Sequence, residues 1–225
     1  METFRTEHDL LGERQVPSTA YYGIQTMRAM ENFMISEATL DDYPELIAAF
    51  AYIKKACAQS NLDYRRLPAD LGKAIIQASN KVIDGVYDTH FPIDMIQGGA
   101  GTSTNMNANE VIANLGLELL GKQKGEYQHL HPNTHVNMSQ STNDVYPTAV
   151  RLAAIWMLDP LIAETERLSA ALAQKAEEFA DVLKMGRTQL QDAVPMSLGQ
   201  EFSAYAAMVG DEVAKLRTVQ KQLHT

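Results

Sequence analysis

Apolar positions along this chain recur mostly at the helical interval. From Pro44 the run ELIAAFAYIKKACAQSNL sets Leu46, Phe50, Ile53 and Cys57 three or four residues apart, which lines one face of a helix. A second helix is predicted from near Pro68 and stops at Gly85. Residues 1–44 read as irregular, with turn signals at Leu11-Gly12, Val16-Pro17 and Tyr22-Gly23. Between Phe91 and Asn107 the text turns polar and glycine-bearing, then enters NEVIANLGLELLG, a short helix with Gly121 as its C-cap. After Pro147, a favoured first helical residue, a very long helix is predicted, which Pro160 should kink or restart. The polar interruption GRTQLQDAVP follows, and then a second long helix from Met196 or Ser197. Its stripe is Leu198, Phe202, Tyr205, Val209, Val213, Leu216, Val219 and Leu223, every step three or four residues. Strand-like alternation is scarce, so the expected fold is mainly α.

Two long helices with such stripes cannot bury themselves alone and call for a bundle. The second stripe reaches Leu223 with no Gly or Pro stop, so the helix is expected to continue past Thr225 in a longer subunit. A mixed N-terminal domain, 1–143, is therefore expected to precede the first part of a helical-bundle domain, 144–225.

Composition narrows the function. Hydrophobic residues at 45% and charged residues at 21% are globular values and exclude wholesale disorder. With 19 Lys and Arg against 28 Asp and Glu, the formal net charge is −9, which disfavours nucleic acid as a partner. The single Cys57 excludes an intramolecular disulfide and reads as a small buried helix residue. The N-terminus carries charges throughout and lacks the apolar core of a secretory signal. The longest strongly apolar run, Leu152 to Leu158, falls short of the roughly 20 residues that span a bilayer. No membrane partner and a cytoplasmic location are expected.

Three segments are rich in small polar groups: Gly98 to Asn105, Ser139 to Asp144, and Gly186 to Asp192. The first two lie just before predicted helices, where backbone N–H groups and Ser, Thr and Asn side chains form a ready anion site. The first lacks both the Gly-Lys-Ser/Thr ending and GxGxxG spacing, so no nucleotide is implied. His131 and His135 stand four apart, a zinc spacing if helical, but Pro132-Asn133 between them and the absence of a nearby Cys argue against a metal site. His129, His131 and His135 read instead as loop histidines. Asp144 and Asp192 fit capping roles. No catalytic base can be read off the chain by motif.

The runs GGAGTSTNMNANEVIANLGLELLGKQKGEY, HVNMSQSTNDVYPTA and KMGRTQLQDAVPMSLGQEF, with the opening LLGERQVPSTAYYGIQTMRAMENF, resemble the aspartase/fumarase superfamily, on the side of its aspartate ammonia-lyases. Fumarases usually read Gly-Thr-Gln-Ser where this chain has Gly101-Thr102-Ser103-Thr104, and Ser-Ser-Asn-Asp where it has Ser141-Thr142-Asn143-Asp144. The resemblance implies reversible elimination of ammonia from L-aspartate to give fumarate, through Cβ proton abstraction and an aci-carboxylate intermediate. Preorganised neutral donors suit that carboxylate, which gains a second negative charge at the transition state. Carried over by position, Thr102, Ser141, Thr142, Asn143 and Thr188 match substrate-binding residues. Gln189 stands where many relatives have His, which leaves a binding group and removes a histidine's role. Thr134 replaces the Asp of the second carboxylate site of fumarases.

The family's serine base loop, Gly-Ser-Ser followed by Met-Pro and Lys, has no match in residues 1–225. The expectation is that it lies downstream of Thr225 and that this chain is inert alone. The resemblance further implies a homotetramer with each active site drawn from several subunits. It implies no required cofactor, an activating divalent cation being the one candidate, at a site the sequence does not locate. Two other readings remain open: a class II fumarase-type hydratase, and a non-catalytic helical assembly module.

Overall fold

The computed structural model describes residues 3–224. Its elements are β1 (Phe4–Asp9), β2 (Gly12–Pro17), α1 (Ile24–Asn32), α2 (Pro44–Asp63), α3 (Ala69–Ile83), α4 (Thr102–Leu119), α5 (Thr142–Glu178), β3 (Leu183–Thr188), β4 (Gln191–Ser197) and α6 (Leu198–Gln222). They divide into two compact units, 1–153 and 154–225, with α5 running from one into the other. The protein is mainly α.

In the first unit α4 is the central element. It packs against α1, α2 and α3, and from Asn107 to Leu117 every residue is buried. A helix buried all round needs an apolar circumference, which Ala108, Val111, Ile112, Ala113, Leu115 and Leu117 supply. Asn105, Asn107, Asn109, Glu110 and Asn114 are equally buried and call for hydrogen-bond partners there, which all but Asn107 Oδ1 and Asn109 Oδ1 find among the described residues. The helix ends at Gly121, whose φ of +71° suits the left-handed residue beyond a C-cap; Lys122 N donates to Leu117 O at 2.9 Å.

Helices α2 and α3 occupy the spans their periodicity predicts. The first 44 residues do not stay irregular: β1 and β2 pair antiparallel, from Phe4 opposite Pro17 to Asp9 opposite Gly12. Hydrophobic alternation could not reveal this hairpin, because its buried positions are Glu7 and Val16 and nearly everything else is exposed. Glu7 and Glu110 together cap α1, which has no side-chain cap of its own. Gly23 N, Gln25 N and Thr26 N donate to Glu110 at 2.9, 2.8 and 3.1 Å, and Ile24 N donates to Glu7 at 2.9 Å. Burial pushes Glu110 up to about 7, while these donors favour its ionised form.

In the second unit, the polar interruption at residues 186–195 is part of a hairpin, β3 with β4. Helix α5 begins at Thr142, before Pro147, and runs unbroken through Pro160 with no restart. Helix α6 lies antiparallel to it. Gly199 N donates to Phe179 O, Ser169 Oγ to Ala206 O, and Gln220 Nε2 to Asp159 Oδ1, at 2.9, 3.0 and 2.7 Å. Ser197 starts α6 with a reciprocal capping box to Gln200. Two helices give each stripe only one neighbour, so Leu161, Leu168, Tyr205, Met208 and Val219 remain exposed. Length and composition alone would let α5 cross a bilayer.

Candidate active site

Two helix N-termini of the first unit carry the hydroxyl-bearing segments. Gly101 precedes α4 at φ +84°, a conformation that favours glycine, and a Cβ there would overlap the ring of Tyr146 on α5. Glycine therefore lets the start of α4 sit directly against the first turns of α5. Thr102 follows as the exposed first residue of α4, behind a residue with no side chain to cap the helix. Thr104 N and Oγ1 are taken up by the Gln97 amide, at 3.0 and 2.7 Å.

At the start of α5, Ser141 Oγ accepts from Asn143 N at 3.2 Å, an N-cap arrangement. Ser141 and Asn143 are exposed and Thr142 half-buried. One turn into α4, Asn105 Nδ2 donates to Thr142 Oγ1 at 3.1 Å. Thr102 and the 141–143 segment are thus brought to one region of one unit.

Beneath them lies a group that motif reading passed over. Lys54 of α2 is fully buried, and its Nζ donates to Asn105 Oδ1, Gln140 Oε1 and Asn137 Oδ1 at 2.6, 2.8 and 2.9 Å. No carboxylate pairs with it among the described residues. Burial pulls the amine down to about 7, whereas three carbonyl acceptors favour the ammonium, which alone has three N–H donors. A signal was present: Lys54 continues the interval of Ile47, Phe50 and Ala51, the apolar face of α2, so a charge stood at a core position.

Thr188 and Gln189 belong to the second unit. Thr188 ends β3 and pairs with Gln191; Gln189 and Leu190 form a two-residue turn with φ of +49° and +62°, which glycine and asparagine ordinarily occupy. Both site residues are exposed, and Arg187 pairs with Asp192 across the hairpin at 3.3 Å.

The histidines have structural work. His131 Nδ1 accepts from Asn133 N and Thr134 N at 3.1 and 3.2 Å, and His135 Nδ1 accepts from His131 N at 2.9 Å. Burial lowers both pKa values, which fits neutral rings acting as acceptors. A cavity of about 490 Å³ lined by Asp9, Gln25, Arg28, Glu110 and His131 shares no residue with the candidate site. Its polar groups are committed: Arg28 to Asp9 at 2.7 Å, Glu110 to the start of α1.

A family profile described as a lyase matches residues 12–225. The chain belongs to this lyase family, in the aspartase/fumarase superfamily. It is 55% identical over 223 residues to an aspartate ammonia-lyase of Pseudomonas canavaninivorans, covering 99% of this chain and 47% of that protein. Among solved structures it resembles a fumarate lyase:delta crystallin of Brucella melitensis, at 53% identity and a TM-score of 0.94, covering 98% of this chain and 51% of the other. A second structure of that protein, bound to cobalt, matches at a TM-score of 0.92. A class II fumarase of Schistosoma mansoni matches at 36% identity and a TM-score of 0.87, over 98% of this chain and 46% of the fumarase. The chain spans about half the length of the lyase relatives it matches.

Proposed function

We propose that this lyase chain serves the reversible elimination of ammonia from L-aspartate to give fumarate. One observation carries the reading: the starts of α4 and α5, bearing Thr102 and Ser141–Asn143, adjoin and are joined by the Asn105–Thr142 hydrogen bond. Two helix N-termini side by side offer backbone N–H groups and neutral hydroxyls to a dicarboxylate. In the elimination a base takes a Cβ proton, the carboxylate gains charge as an aci-carboxylate, and the C–N bond breaks to release ammonia. Fixed neutral donors stabilise that charge without reorganising. Thr188 and Gln189, on the exposed hairpin tip of the second unit, are proposed to bind substrate as well, in a homotetramer whose active sites draw on several subunits. The base is proposed to lie outside residues 1–225, which contain no Gly-Ser-Ser loop, so these residues alone should not turn over. A cytoplasmic location accords with the reading.

A divalent cation is a candidate activator, since a relative's structure is bound to cobalt. The residues here do not fit one: among the described residues no three His, Cys, Asp or Glu side chains cluster, and His131 and His135 spend their Nδ1 atoms on backbone N–H groups. No step of the reaction is routed through a metal.

The test follows fumarate absorbance for the complete gene product supplied with L-aspartate or with malate. The reading expects aspartate to be the preferred substrate. Preference for malate would replace the ammonia-lyase with a hydratase, and consumption of neither would remove the enzymatic reading.

A further inference from the structure

A hydroxyl can accept or donate, and which it offers to a ligand depends on what the protein does to its other side. Thr142 Oγ1 receives an N–H from Asn105 Nδ2 at 3.1 Å, and among the described residues it donates to no partner. Asn105 is 1% exposed, and its amide has one allowed orientation. Lys54 Nζ lies 2.6 Å from Asn105 Oδ1, the shortest of its three contacts, and as an ammonium, the form with one N–H for each contact, it donates along it. The oxygen must therefore face Lys54, which leaves the NH2 on the other side. There its two hydrogens meet Asn137 Oδ1 and Thr142 Oγ1, each at 3.1 Å.

The surrounding amides obey the same polarity. Asn137 Oδ1 accepts from Lys54 at 2.9 Å and from Asn109 at 3.3 Å. Gln140 gives its oxygen to Lys54 at 2.8 Å and its NH2 to Val136 O at 2.8 Å. An ammonium at the bottom of the network thus sets the direction of the Asn105, Asn137 and Gln140 hydrogen bonds, and a chain of aligned donors strengthens its members. We infer that Lys54 is a positioning residue which, through Asn105, occupies the acceptor side of Thr142 and leaves that hydroxyl to donate outward to a carboxylate.

This inference rests on the reading of the α4 and α5 N-termini as a dicarboxylate site, and its test separates the two. The probe is succinate, titrated calorimetrically into the complete gene product, with KM and kcat for L-aspartate measured alongside. Thr142→Val removes the hydroxyl and should weaken succinate binding about tenfold. Asn105→Asp keeps the shape and the contact to Lys54, but sets an oxygen where Nδ2 stood. Thr142 then turns its proton inward, and succinate should again bind about tenfold more weakly, with the loss falling on KM more than on kcat. Combined with Thr142→Val, Asn105→Asp should cost nothing further, because both substitutions remove the same donor. Lys54→Met, which frees the Asn105 amide to flip, should behave as Asn105→Asp does if the variant folds.

Losses that multiply in the double variant would mean plain charge repulsion by the new carboxylate and would overturn the relay. So would wild-type affinity in Asn105→Asp. Unchanged binding in Thr142→Val would overturn the site reading itself, and failure of the unsubstituted protein to bind succinate would overturn both.

Discussion

Lys54 shows what a single buried group imposes. Its pKa near 7 in the folded chain compares with about 10.4 in an unfolded one. Between those values the unfolded chain holds more protons, so stability rises with pH across the window and is lost as pH falls toward 7. Urea unfolding at pH 7, 8, 9 and 10 should show this limb, on the order of a few kcal/mol, and Lys54→Met should flatten it. Equal slopes in both proteins would contradict the burial argument. At Gly101 a side chain faces a left-handed backbone and the Tyr146 ring together. Gly101→Ala should therefore destabilise by about 2–5 kcal/mol, measured as a fall in the denaturation midpoint, whereas Gly12→Ala should cost only its backbone strain, since open space surrounds Gly12. The segments holding Thr102 and Ser141–Asn143 stood out as candidates because small polar residues at a helix start have a local chemistry. Lys54, Asn105 and Gln140 were not, because their role exists only after α2, α4 and the loop before α5 have packed together.

At the level of elements, apolar periodicity located α2 and α3, whose buried faces are mostly Leu, Ile, Val, Phe and Ala, and α6, whose stripe is half-buried at Leu198, Phe202, Val209, Val213 and Leu216. It failed where burial is polar. The first turns of α4 read as a loop because Thr104, Asn105 and Asn107 carry no apolar signal, yet all three are buried. The β1–β2 hairpin escaped for a related reason, its only buried residues being Glu7 and a single apolar one, Val16. The β3–β4 hairpin hid behind a turn without glycine: Gln189 and Leu190 both adopt positive φ. A non-glycine residue held there stores about 1–2 kcal/mol, and such strain is kept where surrounding structure or function demands it. Leu190→Gly should recover about 1 kcal/mol, seen as slower hydrogen exchange across Leu183–Ser197. Unchanged or faster exchange would show that the turn is not strained.

At the scale of the whole molecule, the second unit exposes Leu161 and Leu168 on α5 and Met208 and Val219 on α6. Apolar faces of that extent on a two-helix layer seek cover, and the bundle proposed for this family supplies it. Sedimentation should show the protein self-associated, and association should survive 0.5 M salt because apolar contact is not screened. Leu161→Glu with Leu168→Glu should dissociate it; a monomer before substitution would contradict the bundle. The helix-start part of the candidate site is built within the first unit from the starts of α4 and α5, and that placement is the central claim. Hydrogen exchange of the complete gene product with and without succinate tests it most directly. The account predicts slowed exchange at the amides of residues 101–105 and 141–145. Protection confined to the cavity lined by Asp9, Gln25 and Arg28, with none at the two helix starts, would contradict it.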